Sequence, residues 1–273
     1  MMPGFPTGRL NSSMIRFLKN GFLVCLISFL VIPVSGTRKK SPFGYCGGWL
    51  GQHSGSNRIG KGTAELIAPS WAITAAHCVN ETALGTTIKN GRRFAVEVGN
   101  QTREIDVVLM HPEIVNSANP EVDLALLRFR QASPIPRPIP PYDQTDEKGE
   151  VVTLIGWGYF GLGTTGRQFD DGTKRRAQNR ISEANLRLQF IFDDPREVDS
   201  DSLPLEGMLG LGDSGGPALI SVGNEFRLAG VAIGELGGES FSEETQGEYG
   251  SVAVYERISF HVDWIESVIE SER

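Results

Sequence analysis

Residues 130–150 read RQASPIPRPIPPYDQTDEKGE, five prolines followed by an acidic, polar run. Proline has no N–H to give to a ladder or a helix, so this stretch is neither a central strand nor a helix. It is a boundary or a crossover, and it divides the chain. On both sides the sequence reads as short β segments punctuated by Gly, Asn and Pro. Upstream these are 62–74 (GTAELIAPSWAIT), 94–100 (FAVEVGN), 103–111 (REIDVVLMH) and 123–129 (DLALLRF). Downstream they are 151–158 (VVTLIGWG), 176–192, 217–234 and 250–258. The chain closes on a helical pattern in which Val262, Ile265 and Ile269 share a face opposite acidic residues.

The N-terminus reads as a targeting segment. Arg16 and Lys19 lie in a basic stretch (14–20), residues 21–34 are apolar, and Val34-Ser35-Gly36 offers small residues for cleavage. Residues 1–36 are therefore expected to be a signal peptide, followed by a basic lead-in at 37–43. The apolar run is shorter than the about 20 residues a membrane-spanning helix needs. Losing Cys25 with the signal leaves Cys46 and Cys78, so the exported chain does not depend on a dense disulfide framework. A formal charge of −7 argues against nucleic acid or an anionic membrane surface as partner.

Three residues have the chemistry of a nucleophilic site: His77 in TAAHC, Asp123 in DLALL and Ser214 in GDSGGP. A serine hydroxyl is a weak nucleophile at neutral pH and needs a base within reach. Histidine serves if a carboxylate fixes its tautomer and stabilises the imidazolium. Asp123 leads an apolar stretch, where an unpaired carboxylate is costly to bury, and pairing with His77 explains it. Glycines around Ser214 permit a sharp turn and close approach of the backbone. No HExxH or CxxC pattern occurs, so no metal is expected. The acidic residues Asp143, Asp146, Glu147 and Glu150 lack EF-hand spacing and read as a solvated loop. His53, His111 and His261 read as structural.

In this order and with these flanks, the three stretches resemble the chymotrypsin/trypsin-like serine proteases. GWG (156–158), HPEI (111–114) and VYERISFHVDWI (254–265) extend the match, which runs from about residue 44 onward. The resemblance implies an all-β fold of two packed six-stranded antiparallel β-barrels with a C-terminal helix. Residues 44–135 would form the first barrel, with His77 and Asp123, and 136–273 the second, with Ser214. The active site would lie in the cleft between barrels. It also implies an exported serine endopeptidase, secreted or periplasmic, that acts on protein or peptide substrates through an acyl-enzyme. No cofactor and no stable membrane association are implied unless the signal segment is retained. Gly212 and Ser214 would supply the oxyanion-hole N–H groups, and Met208, Glu235 and Ala253 would line the substrate pocket. The alternative is a non-catalytic homologue that serves as a binding module.

The sequence departs from the family at three places. Gly62 and Gly210 stand where cysteines are usual, so Cys78 is either a free buried thiol or bridged to Cys46, with the free thiol favoured. In either case Cys78 is expected to be a bystander that points away into the first barrel. No Arg/Lys-Ile-Val-Gly-Gly activation site is present, and NRIG (57–60) is too close to the next strand to swing back. Asp213 is then paired with an N-terminus exposed by signal cleavage, with another cation, or with nothing. Met208 replaces the aspartate of trypsin-like pockets, which predicts a hydrophobic P1 residue, although Glu235 near the rim could restore a basic preference.

Overall fold

The computed structural model describes residues 62–82, 84–98, 101–116, 121–132, 137–236 and 246–271. The signal segment, the basic lead-in, Cys46 and His53 lie outside them. In the first half, β1 (Glu65–Ala68), β2 (Trp71–Thr74), β3 (Phe94–Val98), β4 (Gln101–Met110) and β5 (Ala125–Phe129) pair in the order β1-β2-β5-β4-β3. Three short helices lie between them: α1 (Ala76–Asn80), α2 (Leu84–Lys89) and α3 (Pro112–Asn116). The first barrel was expected to have six strands. Five are present among the described residues, and β1 and β3, at the two ends of the order, do not pair there with each other. The outer edge of β1 is instead used by the proline-rich crossover, where Ile139 donates its N–H to the Leu66 carbonyl.

The second half closes. Its strands are β6 (Val151–Gly156), β9 (Arg175–Ala184), β10 (Arg187–Ile191), β11 (Pro217–Val222), β12 (Glu225–Leu236) and β13 (Val252–Arg257), in the order β10-β13-β12-β11-β6-β9. A separate hairpin, β7 (Phe160–Leu162) and β8 (Gly166–Phe169), was not anticipated from the sequence. Its strands are too short to carry a period-2 signal. Closure removes the free edges that an open sheet would leave.

Two apolar clusters form, the first of which also takes in Ile155, Leu219, Leu228 and Val231 of the second half. Leu66, Trp71, Ile73, Leu124 and Leu126 fill the first, and Val152, Phe190, Phe192 and Tyr255 the second. The C-terminal helix α4 (Val262–Ser271) buries Ile265 completely in the first cluster, although it follows the last strand of the second barrel. None of the described helices is long and apolar enough to cross a membrane.

The acidic part of the crossover is solvated as expected at Asp143, Asp146 and Glu150, but not at Glu147. Glu147 is fully buried and paired with Arg257 of β13, and Ser259 also donates to it. Asp146 accepts the Tyr142 hydroxyl. Glu147 read as solvated because its counter-charge lies 110 residues further along the chain.

Candidate active site

Asp123 and His77 are joined at two points. Helix α1 has Ala75 at its N-cap and therefore no side-chain cap of its own. Asp123 supplies one from the lead-in to β5: its carbonyl accepts the Ala76 N–H at 3.3 Å, and Oδ1 accepts the His77 N–H at 2.8 Å. Its other oxygen, Oδ2, lies 2.6 Å from His77 Nδ1. A carboxylate only accepts, so Nδ1 carries a proton.

Burial alone lowers the pKa of His77, but hydrogen bonds to Asp123 and Cys78 outweigh it and push the value up to about 10. Burial raises Asp123, and the bonds from His77 and the α1 amides more than offset this, so the carboxyl is held below its usual range. Cys78 is a free, buried thiol packed in the first core cluster. It enters the first barrel as expected but is not turned away from the histidine. Its Sγ lies 3.7 Å from His77 Nε2.

Ser214 arrives from the second half. Its carbonyl accepts the Thr63 N–H at 2.7 Å. Gly215 follows with φ +79°, and a Cβ there would sit 2.1 Å from the Thr63 carbonyl and 2.3 Å from Thr74 Oγ1. Only glycine lets this turn dock where β2 runs into Ala75 and His77. Among the described residues, no hydrogen bond links Ser214 Oγ to the His77 ring. Gly212 has φ +97°, and neither its N–H nor that of Ser214 is taken by an acceptor among the described residues.

Asp213 Oδ1 accepts the Gly158 N–H at 2.6 Å and Oδ2 the Gly210 N–H at 2.8 Å. A Cβ on Gly156 would lie 1.9 Å from Oδ1, so the GWG stretch makes room for this carboxylate. Gly210 is not simply a lost cysteine. A Cβ there would meet the Tyr159 carbonyl at 2.0 Å.

Of the expected pocket residues, Met208 and Ala253 are buried in the second core cluster. Met208 also lines a cavity of about 30 Å³ with Leu209, Asp213 and Tyr255. Glu235 pairs across strands with Ala253, and its Oε1 accepts the Gly247 N–H at 3.1 Å. His111 and His261 are structural neighbours, with ring centroids 4.9 Å apart. His261 lies 3.4 Å from Glu256, a residue that sequence reasoning missed. Glu256 gave no signal because it sits in a strand whose role in the site emerges only from tertiary contact. Among the described residues, no cluster of ligating side chains suits a metal ion.

Residues 47–265 match the family profile described as Trypsin. Relatives include vitamin K-dependent protein C of Oryctolagus cuniculus, 27% identical over 77% of this chain and 46% of its own length. Tryptase of Mus musculus is 24% identical over 76% of this chain and 78% of its own. An uncharacterized peptidase of Corynebacterium glutamicum is 27% identical over 74% and 62%. The chain thus spans about half the length of the protein C relatives it matches. Neuropsin, a serine protease expressed in the limbic system of mouse brain, superposes with a TM-score of 0.57 at 16% identity, covering 82% of this chain and 94% of its own.

Proposed function

The chain belongs to the trypsin family of serine-type endopeptidases, and on that premise we propose that it is an exported enzyme cleaving protein or peptide substrates with Ser214, His77 and Asp123. The observation that carries this reading is the double grip of Asp123 on the ring and the backbone of His77. Beside it, the Ser214 turn docks on Thr63 and Thr74.

Ser214 Oγ attacks the scissile carbonyl while His77 Nε2 takes its proton. The His77 imidazolium then protonates the leaving amine, and the acyl-enzyme is hydrolysed by water activated at the same nitrogen. The N–H groups of Gly212 and Ser214 receive the oxyanion, and losing one such donor costs roughly 3–4 kcal/mol. Asp213, held by Gly158 and Gly210, keeps the turn that presents them. The bond between Ser214 Oγ and Nε2 forms when substrate fills the site. Met208 makes the pocket base apolar and favours a hydrophobic P1 side chain. Glu235 is occupied by the Gly247 N–H, which supports that preference.

A fluorophosphonate probe tests the reading directly. Wild-type protein is expected to be labelled and Ser214→Ala is not. Folded wild-type protein that stays unlabelled would establish the non-catalytic homologue instead. N-terminal sequencing of the mature protein is expected to begin at Thr37, and a start within residues 1–20 would overturn export by cleavage.

A further inference from the structure

We propose that Glu256 and Arg187 form a two-point clamp, reaching from the second barrel to position Asp123 and, through it, His77. The inference rests on the reading of His77 and Asp123 given above. Glu256 on β13 and Arg187 on β10 are direct cross-strand partners. Arg187 Nη2 donates to the Glu121 carbonyl at 2.7 Å. Glu256 Oε2 accepts the Asp123 N–H at 3.0 Å. The two side chains therefore grip the chain just before and at Asp123, in a segment outside any described strand.

The chemistry of Glu256 fits this role. Its side chain is 3% exposed, a setting in which a carboxylate is kept only if it is paired. Arg187 Nε lies 3.7 Å from Oε2, and His261 Nε2 lies 3.4 Å from Oε1. His261 is braced edge-on by His111, which in turn packs edge-on against Trp264. With both oxygens held from behind, Oε2 is fixed where the Asp123 N–H needs an acceptor. Asp123 spends its carbonyl on Ala76 and its carboxylate on His77, so the Glu256 bond anchors the remaining polar group of its backbone. The clamp thus ties the acid–base pair of the first half to the barrel that carries Ser214. Glu256 is a positioning residue, acting through Asp123.

Glu256→Ala and Glu256→Gln test this, with Arg187→Met as a second point. The Gln variant keeps an oxygen for the Asp123 N–H, and Ala does not. Since a misplacement of about 1 Å near the chemistry costs up to about a hundredfold, Glu256→Ala is expected to lose about tenfold in kcat with KM within about twofold. Its downfield His77 Nδ1–H proton resonance is expected to broaden and move upfield. Glu256→Gln is expected to restore the resonance and to bring kcat within about threefold of wild type, with Arg187→Met intermediate. The clamp is overturned if folded Glu256→Ala keeps both kcat and the resonance, or if Glu256→Gln is as impaired as Ala. Should Glu256→Ala fail to fold, Glu256→Gln and Arg187→Met decide: a wild-type-like resonance in Arg187→Met, or none in Glu256→Gln, overturns it. Should wild-type protein prove unreactive at Ser214, the proposed catalysis falls while the resonance still judges the clamp.

Discussion

Asp123 holds His77 twice, Oδ1 accepting the backbone N–H at 2.8 Å and Oδ2 the ring Nδ1–H at 2.6 Å. The first bond caps α1 and the second sets the tautomer, so substitution can separate them. Asp123→Asn keeps an oxygen for the helix cap but removes the charge that stabilises the imidazolium. Expected is a folded protein whose kcat falls by roughly 10⁴-fold, the order reached when a serine-protease triad loses its carboxylate. Steady-state kinetics on a peptide amide, with thermal melting as the control, checks it. A loss below tenfold would remove Asp123 from the machinery.

The contact between Cys78 and His77 has a pH signature. Burial lowers His77, while Asp123 and Cys78 raise it overall to about 10. A folded-state pKa above the unfolded 6.5 means that the imidazolium stabilises the native state. That contribution is complete below pH 6.5 and is lost as pH rises towards about 10. The general base works as the neutral ring, so the acid limb of kcat/KM is expected above pH 6.5. Cys78→Ala removes one raising partner, and the limb is expected to move to lower pH. An unmoved limb in the folded variant would show that the thiol is electrostatically silent.

The candidate site was legible where its motifs are local in sequence. The flanks of His77 and Ser214 are short turns and helix starts whose glycines and small residues mark them directly. Asp123 stood out as a charge leading an apolar strand. What stayed hidden depends on partners far along the chain. Glu256 meets Asp123 across 133 residues. The glycines of GWG serve the carboxylate of Asp213, 55 residues beyond Gly158. The β segments were readable from alternation and turn residues, but that 176–192 and 217–234 each fold into two strands, β9–β10 and β11–β12, was not read from the sequence. Closure of the second half, and five rather than six described strands in the first, are properties of pairing that no single segment encodes.

Glu147 and Arg257 form a buried ion pair whose side chains are 0% and 5% exposed. Arg257 also donates to the carbonyls of Ala184, Asn185 and Thr145, so the pair pins the crossover to the second barrel. Glu147→Leu strands the guanidinium without its counter-ion, and a loss of about 3–5 kcal/mol is expected in urea unfolding. Glu147→Leu combined with Arg257→Met removes both charges and is expected to recover part of that loss. A single variant as stable as wild type would show that the crossover is held by its backbone bonds alone.

Met208 is the residue through which P1 preference can be tested. It is 5% exposed and packs with Leu209, Tyr255 and Ala253 in an apolar cluster. A lysine or arginine side chain entering such a site would lose its hydration without gaining a counter-ion. An apolar side chain gains from the same burial, and one methylene is worth about 1–3 kcal/mol in pocket discrimination. A P1-varied peptide library is therefore expected to favour Leu, Met or Phe over Arg and Lys. Met208→Asp is expected to lower turnover of the apolar substrates and raise relative turnover of the basic ones. Glu235→Gln, which removes a carboxylate already engaged by the Gly247 N–H, is expected to leave the ranking unchanged. Wild-type enzyme that prefers Arg or Lys, and loses that preference in Glu235→Gln, would move the specificity determinant from the pocket base to its rim.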